Sequence, residues 1–295
     1  MTSVNGLAAH PALAECVHAL VAAWRATAVA RDQAGGHAAA ERAQIRASGL
    51  LDLTVPSAHG GRGLPWTVFY DALRVLAQAD SALAHVFAFH HLQVATLLLY
   101  GSAAQQARWL GRTIEERLFW GNALNPNDRR TVATPAGAGF RLDGPKSFCS
   151  GSVGSDMLTL SAWHAPTQSL LIGVLPSRTP GVTIEEDWDA FGQRQTDSGT
   201  VHFDAVPLPE SDVLVPPGVQ HPVRSTLRAQ FAQLILATLY LGLAEGAFDE
   251  ACRFVRDFTR AAPASGVARA VDDPYVQQRV AELRLLVRPA ARFVA

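Results

Sequence analysis

Charge, cysteine and lysine are all scarce in this chain of 295 residues. Only 17% of the residues are charged and the formal net charge is -1, so nothing draws the protein to nucleic acid or to an anionic membrane surface. The three cysteines, Cys16, Cys149 and Cys252, lie far apart and form no CxxC pair. That spacing excludes a zinc ribbon and a disulfide framework and fits a reducing cytoplasm. No HExxH or clustered His/Cys/carboxylate spacing points to a metal, and no GxGxxG or GxxxxGK[ST] loop is present to cradle a phosphate. Lys146 is the single lysine, a scarcity that reads as GC-rich coding bias. The segment Met1–His10 lacks the basic flank and apolar core of a secretory leader. The longest apolar run, Leu234–Leu243, is far short of the ~20 residues that span a bilayer.

Hydrophobic residues, by contrast, make up 48% of the chain, enough for a sizeable core and more than one domain. With so little charge, some apolar surface has to be hidden, and an oligomer interface, dimer or tetramer, is one place for it.

The first third reads as a helical layer. Leu13, Cys16, Val17, Leu20, Val21 and Trp24 recur at helical spacing over Pro11–Arg31. Further helices are expected over Glu41–Ser48, Trp66–Gln78, Ser81–Tyr100 behind an Asp80-Ser81 cap, and Ala103–Glu116. Near Leu118 the character changes. Phe140–Gly144, Met157–Trp163, Ser169–Pro176, Val182–Glu186 and Thr200–Phe203 are short, rich in β-formers and separated by Gly, Pro, Asp or Ser, which predicts a small antiparallel barrel or sandwich. Pro207, Pro209, Pro216 and Pro217 read as a linker. Val223–Arg260 is helical without a break, Ala261–Asp273 is a loop, and Pro274 onward is helical again. The expected class is α+β multidomain, divided at 1–117, 118–220 and 221–295.

Two segments of the middle region carry the chemistry. One is Lys146-Ser147-Phe148-Cys149-Ser150-Gly151; the other runs Asp187-Trp188-Asp189-Ala190-Phe191-Gly192-Gln193-Arg194-Gln195-Thr196-Asp197-Ser198-Gly199. Each sets a hydroxyl, an aromatic ring or a fixed charge beside glycines, so polar groups can approach a flat ligand closely. Together with Gly121-Asn122-Ala123, which stands where dehydrogenases carry Thr-Glu-Pro, they resemble the acyl-CoA dehydrogenase superfamily. The similarity is greater to its flavin-dependent monooxygenase branch, the dibenzothiophene monooxygenase and sulfur-acquisition oxidoreductase group.

The resemblance covers essentially the whole chain and implies a helical domain, a middle β-domain holding the flavin, and a C-terminal helical bundle. That bundle has four helices in the family and about two here, so it is expected to be incomplete, with an apolar face left to a partner or to a longer chain. The resemblance implies that Ser150, four residues after Lys146, lies at the reactive flavin edge, that Asn122 and Asn127 face flavin and substrate, and that Trp188 packs on the flavin and lines the pocket. It places His85 and Phe89 near substrate; Phe89 stands where the family has a tyrosine and lacks its hydroxyl. Arg260 is the expected phosphate ligand, often reached across a subunit boundary. Read from residue chemistry alone, Ser150 and Asn127 also suit turns, Trp188 a buried strand end, and His85 a satisfied core position.

The implied reaction uses reduced FMN from a separate reductase and O2, forms a C4a-(hydro)peroxyflavin, and passes oxygen to a small organosulfur or similar apolar substrate. His85, Asn122 and Ser150 are its expected catalytic groups. Two alternatives stand beside it: an FAD-dependent acyl-CoA dehydrogenase, which needs a carboxylate base that Phe231-Ala232-Gln233 does not supply, and a non-catalytic truncated subunit. A cytoplasmic homotetramer is the expected form.

Overall fold

The computed structural model describes residues 6–219 and 223–294, so the expected boundary at 220/221 lies outside the described residues. Helices α1 (Pro11–Ala34), α2 (Ala39–Ala47), α3 (Trp66–Ala77), α4 (Ser81–Tyr100) and α5 (Ala103–Glu115) form the first layer. Pro11 starts α1 where a missing N–H costs nothing, and Leu13, Val17, Leu20 and Trp24 bury one stripe of it. The Asp80 carboxylate caps α4 by accepting from the Leu83 N–H at 3.0 Å. Trp24, Phe69, Leu73 and Phe87 are completely buried in the shared core, and each such apolar side chain contributes about 1.5–3 kcal/mol.

Helix α4 is buried on nearly every side, so its polar residues need internal partners. His90 donates from Nε2 to the Leu51 carbonyl at 2.9 Å and accepts at Nδ1 from the Trp120 N–H at 3.2 Å. His91 donates from Nε2 to the Leu50 carbonyl at 2.9 Å, and its Nδ1 meets the Thr54 hydroxyl at 2.7 Å. The Trp120 N–H can only donate, so the His90 ring is neutral with its proton on Nε2. Burial pulls His90 down to about 4 and His91 well below the usual range.

Among the described residues, eight strands make one curled sheet in the order β6-β7-β3-β2-β4-β5-β8, with β1 (Trp120–Ala123) paired to β4. The others are β2 (Val132–Pro135), β3 (Gly139–Lys146), β4 (Met157–His164), β5 (Ser169–Pro176), β6 (Val182–Ile184), β7 (Val201–Pro209) and β8 (Val213–Val215). Most pairs are antiparallel, as the sequence predicts, but β1 and β2 both run parallel to β4. Residues 120–123 meet the start of β4 and Val132 meets Trp163 near its end. The two short strands thus share one flank of β4, and the loop 124–131 bulges out between them.

Two further differences have local causes. Pro207 and Pro209 are in β7, not a linker. The Glu210 N–H points to Ala138 beside β3, so by alternation the missing donors of Pro207 and Pro209 face the other flank, where β6 pairs only with Val201–Phe203. The lone lysine is fully buried: Lys146 Nζ donates to the Asp128 carbonyl, while the Asp128 carboxylate accepts from the Ser147 N–H at 2.9 Å and the Ser147 hydroxyl at 3.0 Å. Burial lowers Lys146 to about 8, and the pair ties loop 124–131 to the end of β3.

Helix α6 (Leu227–Asp257) lies on α3 and α4 through Ile235 and Leu239. At Gly242 a Cβ would come within 2.5 Å of the Arg74 carbonyl, so only glycine permits this crossing. Helix α7 (Pro274–Val294) exposes Tyr275, Leu285, Leu286 and Phe293. Three helical stretches, Pro11–Ala34, Ser81–Tyr100 and Val223–Asp257, are long and apolar enough to cross a membrane by length and composition alone. Run length misses this, because isolated polar and charged residues interrupt them. The Ser81–Tyr100 stretch is 78% buried within the fold, against 22% and 28% for the other two.

The buried histidines set a pH dependence. The unfolded chain takes up protons below about 6.5, while His90 resists them until about 4, so stability is fully present above 6.5 and lost as pH falls through that window. Urea melts should show this loss at up to about 1.4 kcal/mol per pH unit for each ring. His90→Gln should flatten the slope; an unchanged slope in that variant would remove His90 from the account.

Candidate active site

Strands β3 and β7 pair antiparallel up to Lys146 opposite Val201, so the residues after one and before the other continue side by side. The Cys149 N–H donates to the Gly199 carbonyl at 3.0 Å and the Gly151 N–H to the Thr196 carbonyl at 2.8 Å. Left-handed backbone recurs here, at Phe148 with φ 58°, Gly151 with 69° and Asp197 with 50°. Positive φ in two non-glycine residues needs an outside hold, and the helical layer supplies it. Arg42 of α2 sends Nη1 to the Asp197 carboxylate at 2.9 Å, and both Nη groups to the Gly151 carbonyl at 3.2 Å. The Arg42 and Asp197 side chains are only 5% and 4% exposed. The guanidinium also lies over the Phe119 ring at 4.3 Å, and His37 Nδ1 meets Asp197 at 2.8 Å.

Within this frame Ser150 Oγ lies 2.8 Å from Ser198 Oγ, which lies 2.8 Å from Thr196 Oγ1, which donates to the Gln193 carbonyl at 3.0 Å. The Ser150 carbonyl accepts from the Asn122 N–H at 3.0 Å, so loop and β1 are joined through the main chain. Their side chains take different partners: the Ser150 hydroxyl turns to Ser198, and Asn122 Oδ1 accepts from Gln93 Nε2 at 3.3 Å. Gln93 also donates to the Phe89 carbonyl at 3.1 Å. His85, Phe89 and Gln93 follow one another at four-residue steps on one face of α4, and the His85 and Phe89 rings stack at 4.1 Å and 15°.

Two atoms on that face, His85 Nε2 and Gln93 Oε1, are shielded from solvent and have no hydrogen-bond partner among the described residues. An unmet buried polar atom costs about 1–3 kcal/mol, which makes each a place for a ligand atom. Burial lowers His85 to about 4, so its ring is neutral near pH 7. Trp188 Nε1 donates to the Gln193 carbonyl at 2.9 Å, and its ring meets Phe148 edge-on at 6.0 Å. Phe148 is 62% exposed, so the hydroxyl chain lies beside an open aromatic flank. A groove of about 890 Å³ opens nearby, with Ser81, Gln193, Gln195, Leu243 and Arg253 among its walls.

The structure thus links Ser150, Asn122 and, through Gln93, Phe89 and His85. Trp188 joins them through the Gln193 carbonyl. Asn127 stands apart, exposed in a turn where its N–H donates to Asn125 Oδ1 at 3.3 Å; Asn125 is the residue that reaches the loop, at the Ser147 carbonyl. Arg260 is also elsewhere, bridged to Arg269 beside a pocket of about 460 Å³ that residues 255–271 alone line. Sequence reasoning did not single out Gln93 or Arg42. Gln93 carries a periodic signal, eight residues after His85; Arg42 carries none.

Comparisons with known proteins show what the chain as a whole is similar to. Residues 8–117 match the acyl-CoA dehydrogenase N-terminal domain and residues 234–295 the acyl-CoA dehydrogenase C-terminal domain. A probable FMNH2-dependent monooxygenase of Pseudomonas putida is 41% identical over 290 residues, covering 96% of this chain and 73% of its own. A dibenzothiophene monooxygenase of Rhodococcus qingshengii is 38% identical over 90% of this chain and 68% of its own. The solved structure of a methanesulfinate monooxygenase from Pseudomonas fluorescens superposes with a TM-score of 0.92 at 40% identity, covering 95% of this chain and 73% of that one.

Gly121 of β1 gives a direct test of the corner. A Cβ there would lie 2.8 Å from the Gly151 carbonyl and 2.9 Å from Ser152 Cα. Gly121→Ala should cost about 1–3 kcal/mol in a urea melt and raise hydrogen exchange at the Asn122 and Gly151 amides. Wild-type exchange in this variant would mean that the two segments are not held as described.

Proposed function

We propose that this chain, which belongs to the acyl-CoA dehydrogenase family, is a reduced-flavin-dependent monooxygenase that delivers one oxygen atom of O2 to a small organosulfur substrate. One observation carries the reading. Main-chain and side-chain hydrogen bonds join Ser150 to Asn122 and Asn122 to Gln93, Gln93 Oε1 and His85 Nε2 on the same face of α4 are unmet, and the half-buried Trp188 meets the exposed Phe148 edge-on. Isoalloxazine is flat and apolar on its faces and polar along one edge, so an aromatic flank with a few convergent donors and acceptors suits it. The activities named for the relatives, FMNH2-dependent and acting on dibenzothiophene or methanesulfinate, support the same cofactor and substrate class.

Bound reduced FMN supplies the two electrons and two protons by which one oxygen atom goes to sulfur and the other leaves as water. The chain's own residues do the rest. Ser150 and Asn122 hold the polar edge of the ring, and Trp188 and Phe148 flank it. The neutral His85 offers its Nε2 to the reacting oxygen or the substrate, and Phe89 keeps that side apolar. Asn127 and Arg260 contribute only from elsewhere: Arg260 reaches a flavin phosphate in this scheme across a subunit boundary. The apolar side chains exposed along α6 and α7 support a homo-oligomer built from units 1–117, 118–220 and 221–295. A separate flavin reductase supplies the reduced cofactor, and the free cysteines fit a cytoplasmic setting.

Early on α6 is one of the two places where family dehydrogenases hold their carboxylate base. There Phe231 packs on Trp66 at 4.4 Å, and its neighbours are Ala232 and Gln233. The deciding assay mixes the purified protein with FMN, a flavin reductase and a sulfide, sulfone or alkanesulfinate. Oxygen-dependent product is expected, with none from an acyl-CoA and an electron acceptor, and Ser150→Ala should lower turnover about 100-fold. A colourless protein that takes up no flavin would instead favour a non-catalytic subunit.

A further inference from the structure

The hydroxyl chain at the corner holds one proton too few to leave Ser150 free as a donor. It comprises three close contacts: Ser150 to Ser198 at 2.8 Å, Ser198 to Thr196 at 2.8 Å, and Thr196 to the Gln193 carbonyl at 3.0 Å. Three hydroxyl protons serve them, one per residue. The carbonyl has none, so Thr196 must donate to it. Ser198 must then donate to Thr196, and Ser150 to Ser198, or one contact would set two lone pairs 2.8 Å apart. The direction of the whole chain is fixed by its last member. Ser150 Oγ is left with lone pairs only.

We propose that this relay makes Ser150 an obligate hydrogen-bond acceptor and so selects the reduced cofactor over the oxidised one. The inference rests on the flavin reading of the site and deepens it. Reduced isoalloxazine carries a proton on N5 and oxidised isoalloxazine a lone pair. An acceptor-only oxygen at that edge binds the first and repels the second. Thr196 and Ser198 are positioning residues that act through Ser150. Their geometry is locked from outside. Asp197, between them, is held by Arg42 and His37, while the Gly151 carbonyl, next to Ser150, is held by the same Arg42. Ser150 and Ser198 are both buried, so water does not easily supply a competing proton. The Gln193 carbonyl that ends the relay also accepts from Trp188 Nε1, which fixes its direction.

The test is anaerobic titration of the whole protein with oxidised FMN and with dithionite-reduced FMN, together with the two-electron potential of the bound flavin. Wild type should bind reduced FMN at least tenfold more tightly, which raises the bound potential by about 30 mV over free FMN. Ser198→Ala and Thr196→Val each free the Ser150 proton, so the preference should fall toward unity through tighter binding of oxidised FMN. Thr196→Ser keeps the relay and should keep the wild-type preference. Circular dichroism checks that each variant is folded, and Thr196→Ser controls for loss of packing. Binding of both forms by wild type without a preference, or a preference that Ser198→Ala and Thr196→Val leave intact, would overturn the relay while sparing the flavin reading. Binding of neither form by wild type would overturn both.

Discussion

A single guanidinium organises the corner on which the proposed chemistry rests. Arg42 comes from a nine-residue helix of the first layer, yet it holds the Gly151 carbonyl and the Asp197 carboxylate of the sheet. Phe148, Gly151 and Asp197 occupy left-handed backbone conformations that a free loop would leave. Burial favours removing the charge from Arg42, and the Asp197 carboxylate opposes that. Taking away one partner would leave the other buried and uncompensated, so the pair functions as a latch. Arg31 adds a second tie from the same layer, reaching Gln195 at 2.7 Å and Asp80 at 2.7 Å.

Among the polar groups buried at this junction, networks that end on an obligate donor or acceptor close in one protonation pattern. His90 must be neutral with the proton on Nε2, because it faces a carbonyl on one side and the Trp120 N–H on the other, and burial keeps His91 neutral beside it. The Thr196–Ser198–Ser150 chain runs one way because it ends on a carbonyl. Networks of this kind define the position and hydrogen-bonding character of a side chain together, which an apolar core cannot do. His90 also carries this order to the site, since its Nδ1 accepts from Trp120, two residues before Asn122.

The same frame bears on the choice between oxygenation and dehydrogenation. Both activities need a flat cofactor held at the sheet. Only the second needs a carboxylate base above it, and the early turns of α6 carry Phe231 packed into the aromatic cluster of Trp66, Phe69 and Tyr70. What faces the corner from α4 is instead a neutral imidazole and an amide with unmet atoms. An imidazole whose proton affinity burial has lowered is a weak base, and an amide is none.

Much of this architecture is legible in the chain itself. The sequence places the strand Ser169–Pro176 to the residue and the helices within a few residues, because hydrophobic periodicity and capping or turn residues are local signals. Asp80, for example, marks the start of α4 by its own chemistry. The family resemblance groups Ser150, Asn122, Trp188, His85 and Phe89 with Asn127 and Arg260, and the last two stand elsewhere in the fold. Hidden from the sequence are β1, β2 and β8, of three or four residues each, which exist only through partners far along the chain. Hidden too is the β-character of Pro207 and Pro209, which depends on which flank of β7 is unpaired. Tertiary structure alone decided that Arg42 meets Gly151 across 109 positions and that Ser198 completes the Ser150 chain. The physical reason is that periodicity reports which face of an element is buried, whereas the partner of a buried polar atom, and so the direction of its proton, is set by whichever group the fold brings within 3 Å.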